Sequence, residues 1–145
     1  MNIRKRYFFE SIGFEFEADI VDVITSYAKK EWGNSAVRFC TKHQDRFEGT
    51  DLFVLGIPID VTTAFQRKDK THWLGELSVD GLGIDFGIRW GNRRSDFETP
   101  VLVIGAETAL GITRSNIWYV ADAFKTNIHK ILDAGMDEYL AATEV

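Results

Sequence analysis

One cysteine and two prolines are all that the 145-residue chain contains of either residue. Cys40 alone cannot close an internal disulfide, and no cysteine-rich zinc site can be built from it. It sits in Ala36-Val37-Arg38-Phe39-Cys40, which reads as a strand, so a small buried side chain is expected rather than a nucleophile. Pro58 and Pro100 mark no proline-rich linker, and there is no internal repeat or low-complexity tract, so one domain over residues 1–145 is the economical reading. Also missing is an apolar run of roughly eighteen residues, the length that a membrane-spanning helix needs. The basic start Met1-Asn2-Ile3-Arg4-Lys5-Arg6 leads into Tyr7-Phe8-Phe9, but Glu10 ends that stretch well short of a signal peptide's apolar region. The expected setting is the cytoplasm. Positive charge is short as well: 17 Lys and Arg against 22 Asp and Glu leave a net charge of -5. That argues against a non-specific coat for nucleic acid, while leaving room for a local basic groove or for a basic partner surface.

What the chain does have is a globular composition, 45% apolar with 13% aromatic, so a packed core is expected. Ala18, Val21, Ile24, Ala28 and Trp32 recur at helical spacing, which predicts a first helix from about Glu15 to Trp32. Glu15, Glu17 and Asp19 crowd its first turns, where the helix dipole favours negative charge; Lys29 and Lys30 lie near its end, and Gly33-Asn34 stops it. Strand-like segments follow at Val37 to Lys42, Thr50 to Leu55 and Ile57 to Ala64, the last two forming a hairpin about Gly56. After a charged loop, Trp73 to Val79 and Gly83 to Trp90 alternate as strands, and Val101 to Gly105 is a continuous apolar run of the kind found in internal strands. The strongest helical rhythm is Ile117, Val120, Phe124, Ile128, Ile131 and Met136, predicting one long helix capped by Ser115 and ending near Leu140, with Gly135 a local weakness. The Trp and Phe residues are expected in the core. The order describes an α/β (α+β) fold: a mixed central β-sheet flanked by an N-terminal and a long C-terminal helix, with helices on its faces.

Chemistry concentrates in Thr50-Asp51-Leu52-Phe53-Val54-Leu55-Gly56-Ile57-Pro58-Ile59-Asp60-Val61-Thr62. Strand side chains alternate faces, so Pro58, Asp60 and Thr62 share one side and Ile57, Ile59 and Val61 the other. With Leu55-Gly56 as a two-residue turn, Val54 pairs with Ile57, and counting outward sets Asp51 opposite Asp60. Cβ atoms so placed lie roughly 4.5–5.5 Å apart. Two like charges at that separation repel, and a shared Mg²⁺ or Mn²⁺ is one way to hold them, the ion polarising a phosphodiester and activating a bound water. Glu17, one turn before Val21 on the helix, is placed to add a third carboxylate. The other account of Asp51 and Asp60 is a solvated hairpin face, with Asp51 as a turn residue; that of Glu17 is a first-turn acid.

Gly49-Thr50-Asp51, Ile59-Asp60-Val61-Thr62 and Glu17 together resemble the PD-(D/E)xK nuclease family. The resemblance covers roughly residues 15–65. It implies a restriction-endonuclease-like core of a helix, a three-stranded meander, a helix and a further strand. It further implies metal-dependent cleavage of nucleic acid, with Asp51 and Asp60 as metal ligands and Glu17 assisting. Thr62 stands where the family places the lysine that activates the attacking water, and a threonine hydroxyl is a poor replacement at neutral pH. Lys68 or Lys70, from the charged loop, would have to take that part. Trp73 to Trp90 departs from the family order as inserted strands.

Arg89, Arg93 and Arg94, beside Trp90 and Asn92, form the best basic-aromatic cluster, and with Lys68 they are the candidate contacts to nucleic-acid phosphates; a solvated turn is the plainer account. His43, His72 and His129 are scattered without ligand spacing and are expected at the surface or capped. Ser11 and Ser115 lack a nucleophile elbow, and no Gly-Lys-Ser/Thr follows Gly81-Leu82-Gly83. Two functions of different class follow. One is a Mg²⁺-dependent, nuclease-like protein acting on phosphodiesters. The other is a non-catalytic acidic interaction protein, such as a phage- or mobile-element-encoded inhibitor (an anti-CRISPR, for example) that docks on a basic nucleic-acid-binding protein.

Overall fold

In a computed structural model, the described residues are 3–39, 52–63, 71–89, 100–107 and 116–143. They form α1 (Ile3–Trp32), β1 (Val37–Phe39), β2 (Leu52–Val54), β3 (Ile57–Thr63), β4 (His72–Val79), β5 (Leu82–Arg89), β6 (Val101–Glu107), α2 (Ile117–Thr126) and α3 (Ile128–Thr143). One mixed sheet runs in the order β1-β2-β3-β6-β5-β4. Only β3 and β6 are parallel; the remaining neighbours are antiparallel. The coarse fold class expected from the sequence is therefore present. Among the described residues no helix is long and apolar enough to cross a membrane.

Both hairpins turn on two residues with positive φ, Leu55 (50°) with Gly56 (82°) and Asp80 (48°) with Gly81 (78°). That is the turn whose twist suits antiparallel strands. It sets the register anticipated from the sequence, Val54 opposite Ile57 and Leu52 opposite Ile59. β6 sits between β3 and β5, and Val101 to Ala106 are buried without interruption, as expected of an internal strand.

One face of the sheet is aliphatic. Ile59 and Val61 on β3, Leu102 and Ile104 on β6, and Ile84 and Phe86 on β5 join the same buried cluster as Ile20, Ile24 and Ala28 of α1, Val120 and Phe124 of α2, and Ile131 and Leu132 of α3. All three helices thus pack on this single face, where the sequence led to helices on both. The reason lies in the alternation: the other positions of β5 are Gly83, Asp85, Gly87 and Arg89, which offer a helix nothing apolar to cover.

Two helix boundaries also differ. α1 begins at Ile3, not Glu15. Nothing before Glu15 except Gly13 breaks a helix, so the acids taken for its first turn lie within it. The C-terminal helix is two helices, broken at Asn127 (φ -107°, ψ 14°). There the side-chain Nδ2 donates to the Ala123 carbonyl and to Asp80 Oδ2, each at 2.8 Å, in competition with the helical pattern. Asn116 occupies the cap position of α2, and Ser115 lies outside the described residues. Gly135 has a packing role. A methyl group there would stand 3.0 Å from the Phe86 ring, so the missing side chain lets α3 sit close on β5. Trp118 and Phe39 are exposed, against the expectation that tryptophan and phenylalanine are core.

Two outcomes follow. Leu55 is half exposed in a left-handed conformation that a branched apolar residue adopts at a cost. Leu55→Asn is expected to stabilise the fold by about 0.5–1 kcal/mol, read as a higher urea midpoint. Burial pushes the Tyr139 phenol above its ordinary 10.0, while its hydroxyl donates to the Pro100 carbonyl at 2.8 Å. Above that ordinary value the unfolded chain releases this proton before the native state does, so stability falls as pH rises; below it the group contributes no pH dependence. The stability advantage of wild type over Tyr139→Phe should therefore shrink between neutral and strongly alkaline pH in denaturant titrations.

Candidate functional site

The second face of the sheet carries Asp60, Thr62 and Arg89, three of the residues to which the sequence assigned chemistry. The register places Thr62, Gly105, Asp85 and Glu76 in one row across four strands, and Asp60, Val103, Gly87 and Trp73 in the next. A third row holds Arg38 and Phe53 at one end, opposite Pro58, and Val101 with Arg89 at the other. The middle of this face is closed to solvent, with Phe53, Asp60, Thr62, Val101 and Val103 buried, while Arg38 and Glu76 at its flanks are exposed.

Asp60 and Arg89 stand on β3 and β5, either side of β6, strands about 10 Å apart. The long arginine side chain spans that gap. Its Nη1 donates to Asp60 Oδ2 at 2.8 Å, and the two side chains are 11% and 8% exposed. Each charge has lost most of its water, and the guanidinium supplies the compensation that makes a buried carboxylate tolerable. Two residues that the sequence gave to separate tasks, metal binding and phosphate binding, are thereby joined to each other. No local pattern reveals the pairing, because it depends on β6 inserting between β3 and β5.

Beside the ion pair lies Trp73, half-buried on β4. A methyl added at Gly87 would reach 3.0 Å from its Cε3, and one added at Gly105 would reach 3.3 Å from its Cη2 and 3.6 Å from the Thr62 methyl. The indole therefore lies across the two bare strand positions. At the opposite end the Arg38 guanidinium stacks over Phe53, 3.8 Å from the ring centroid.

The remaining predicted residues are placed as follows. Glu17 lies on α1, whose Ile20, Ile24 and Ala28 pack on the aliphatic face, whereas Asp60 is on the alternate face of β3. Thr62 shares the Asp60 face and is 2% exposed. Asp51, Lys68, Lys70, Arg93, Arg94, Trp90, Asn92, Cys40 and His43 lie outside the described residues. His72 and His129 are exposed, in keeping with surface histidines. Among the described residues no three or more His, Cys, Asp or Glu side chains are grouped to hold a metal ion. Among the described residues Asp60 is the one carboxylate in its row, and the Arg89 guanidinium is paired with it.

No protein-family model matches the chain, no curated protein matches it, and no solved structure matches it.

Replacing one partner of the ion pair strands the other. Asp60→Ala is expected to destabilise the fold by roughly 3–5 kcal/mol, whereas Asp60→Leu combined with Arg89→Met should be far less damaging. Chemical denaturation of Asp60→Leu, Arg89→Met and the double measures the coupling; additive losses would show that the guanidinium does not compensate the carboxylate.

Proposed function

We propose that the chain is a non-catalytic, cytoplasmic interaction protein that engages a basic, nucleic-acid-binding partner protein, built on a restriction-endonuclease-like scaffold. The observation that carries the reading is the Asp60–Arg89 ion pair. A carboxylate that is to bind Mg²⁺ must be free to face a cation and its waters; here a fixed guanidinium supplies the positive charge. Thr62 beside it offers a hydroxyl in place of the ammonium group that the chemistry asks for. The net charge of -5 suits a partner whose own function is to attract phosphates. Supporting the scaffold is the element order: α1, the antiparallel β1-β2-β3 and a further strand, β6, parallel to β3. The β4–β5 hairpin takes the chain position where the resembled core has its second helix.

The competing reading, a Mg²⁺- or Mn²⁺-dependent nuclease using Asp51 and Asp60, draws on the register of β2 against β3, in which Leu52 faces Ile59. Incubation with plasmid and with single-stranded oligonucleotide in either metal decides between them. The expected result is no cleavage and no metal-dependent rise in melting temperature. Metal-dependent cleavage that disappears in a folded Asp60→Asn variant would overturn the proposal.

A further inference from the structure

We propose that the start of α2 is a docking site for an arginine side chain on a basic segment of a partner protein, an inference that rests on the binding role proposed above. Trp118 is 68% exposed and Tyr119 51% exposed, and they are neighbours on one short helix. Their rings meet edge to face, with centroids 6.2 Å apart at 84°. A single exposed aromatic is ordinary; two together, held in fixed relation, form an adhesive patch of the residue types that dominate binding surfaces.

The patch is held in place from both ends of the helix. The Tyr119 hydroxyl donates to the Asp80 carbonyl at 3.3 Å, and Asn127, just past the helix end, donates to Asp80 Oδ2 at 2.8 Å. Both anchors are made to the tight β4–β5 turn. Ordering these rings therefore costs little at the moment of binding.

Charge selects the occupant. Asp122 is exposed and lies one turn along the helix from both rings, i+4 from Trp118 and i+3 from Tyr119. Asp80 is exposed at the turn that Tyr119 touches. Lys125, i+3 from Asp122, ends the acidic-aromatic stretch. Aromatic faces beside carboxylates attract a cation, and of the two basic side chains the planar guanidinium is the one that stacks on a ring while pairing with a carboxylate. A lysine ammonium, more strongly hydrated, gains less from the ring.

The test uses the full chain and two fluorescein-labelled peptides of equal length and charge, one of glycine-spaced arginines and one of glycine-spaced lysines, titrated at physiological salt. A labelled single-stranded oligonucleotide is the third probe. The arginine peptide is expected to bind more tightly than the lysine peptide. Trp118→Ala should weaken the arginine peptide by roughly tenfold and Asp122→Asn by less, with the thermal unfolding of both variants unchanged. If the two peptides bind alike and Trp118→Ala has no effect, only the net charge is at work: the docking site is overturned while the basic-partner reading stands. Absence of saturable peptide binding overturns the docking site as well. Oligonucleotide binding that is lost in Trp118→Ala would also overturn it, assigning the rings to nucleobases. Failure of the non-catalytic reading is separate, since it shows as metal-dependent cleavage.

Discussion

The strand β6 occupies the middle of the sheet, parallel to β3 and antiparallel to β5, with six consecutive residues closed to solvent. A strand so placed must be covered on both sides, and its two sides are covered differently. Leu102, Ile104 and Ala106 look toward the helices, where burial of aliphatic surface against α1, α2 and α3 supplies the bulk of the hydrophobic stabilisation. Val101, Val103 and Gly105 look the other way, into the face that holds the ion pair and the Trp73 indole. The asymmetry of the molecule follows from the strands beside β6: β3 and β5 alternate aliphatic residues with Asp60 and Thr62 on the one, and with Gly83, Asp85, Gly87 and Arg89 on the other.

The ion pair is better understood as a requirement of that arrangement than as a large source of stability. Two charges withdrawn from water recover through their mutual attraction about what their desolvation costs, and aliphatic residues of similar volume would hold the strands as well. What the pair does provide is specificity. Arg89 reaches across β6 to one carboxylate at one register, so a slip of β5 by a single residue would turn the guanidinium to the opposite face and leave Asp60 without it.

Much of the fold was readable from local pattern. The β2–β3 register followed from counting outward from Leu55-Gly56, and the internal position of β6 from an apolar run with no alternation. The failures have definite causes. The start of α1 was set near Glu15 by the apolar recurrence from Ala18 and the acids before it, although before that point only Gly13 disfavours a helix. The break at Asn127 comes from a side chain that bonds to Asp80 on a distant hairpin, which periodicity cannot register. Of the site, Asp60 and Thr62 were legible as a same-face pair on β3. The partner of Asp60 was not, since Arg89 comes beside it only after the chain has made two strands and returned. Glu17 was aimed at the sheet from helical periodicity, which fixes which stripe of a helix is buried and says nothing about which face of the sheet receives it.

The turn at Asp80-Gly81 acts as a peg common to two otherwise separate parts. Its carbonyl holds Tyr119 and its carboxylate holds Asn127, so the tip of the β4–β5 hairpin grips α2 near its beginning and just past its end. β4 is an edge strand of the sheet, so this turn ties the sheet's edge to α2. The hairpin tip and the helix that carries Trp118 and Tyr119 are thereby fastened to each other at two points.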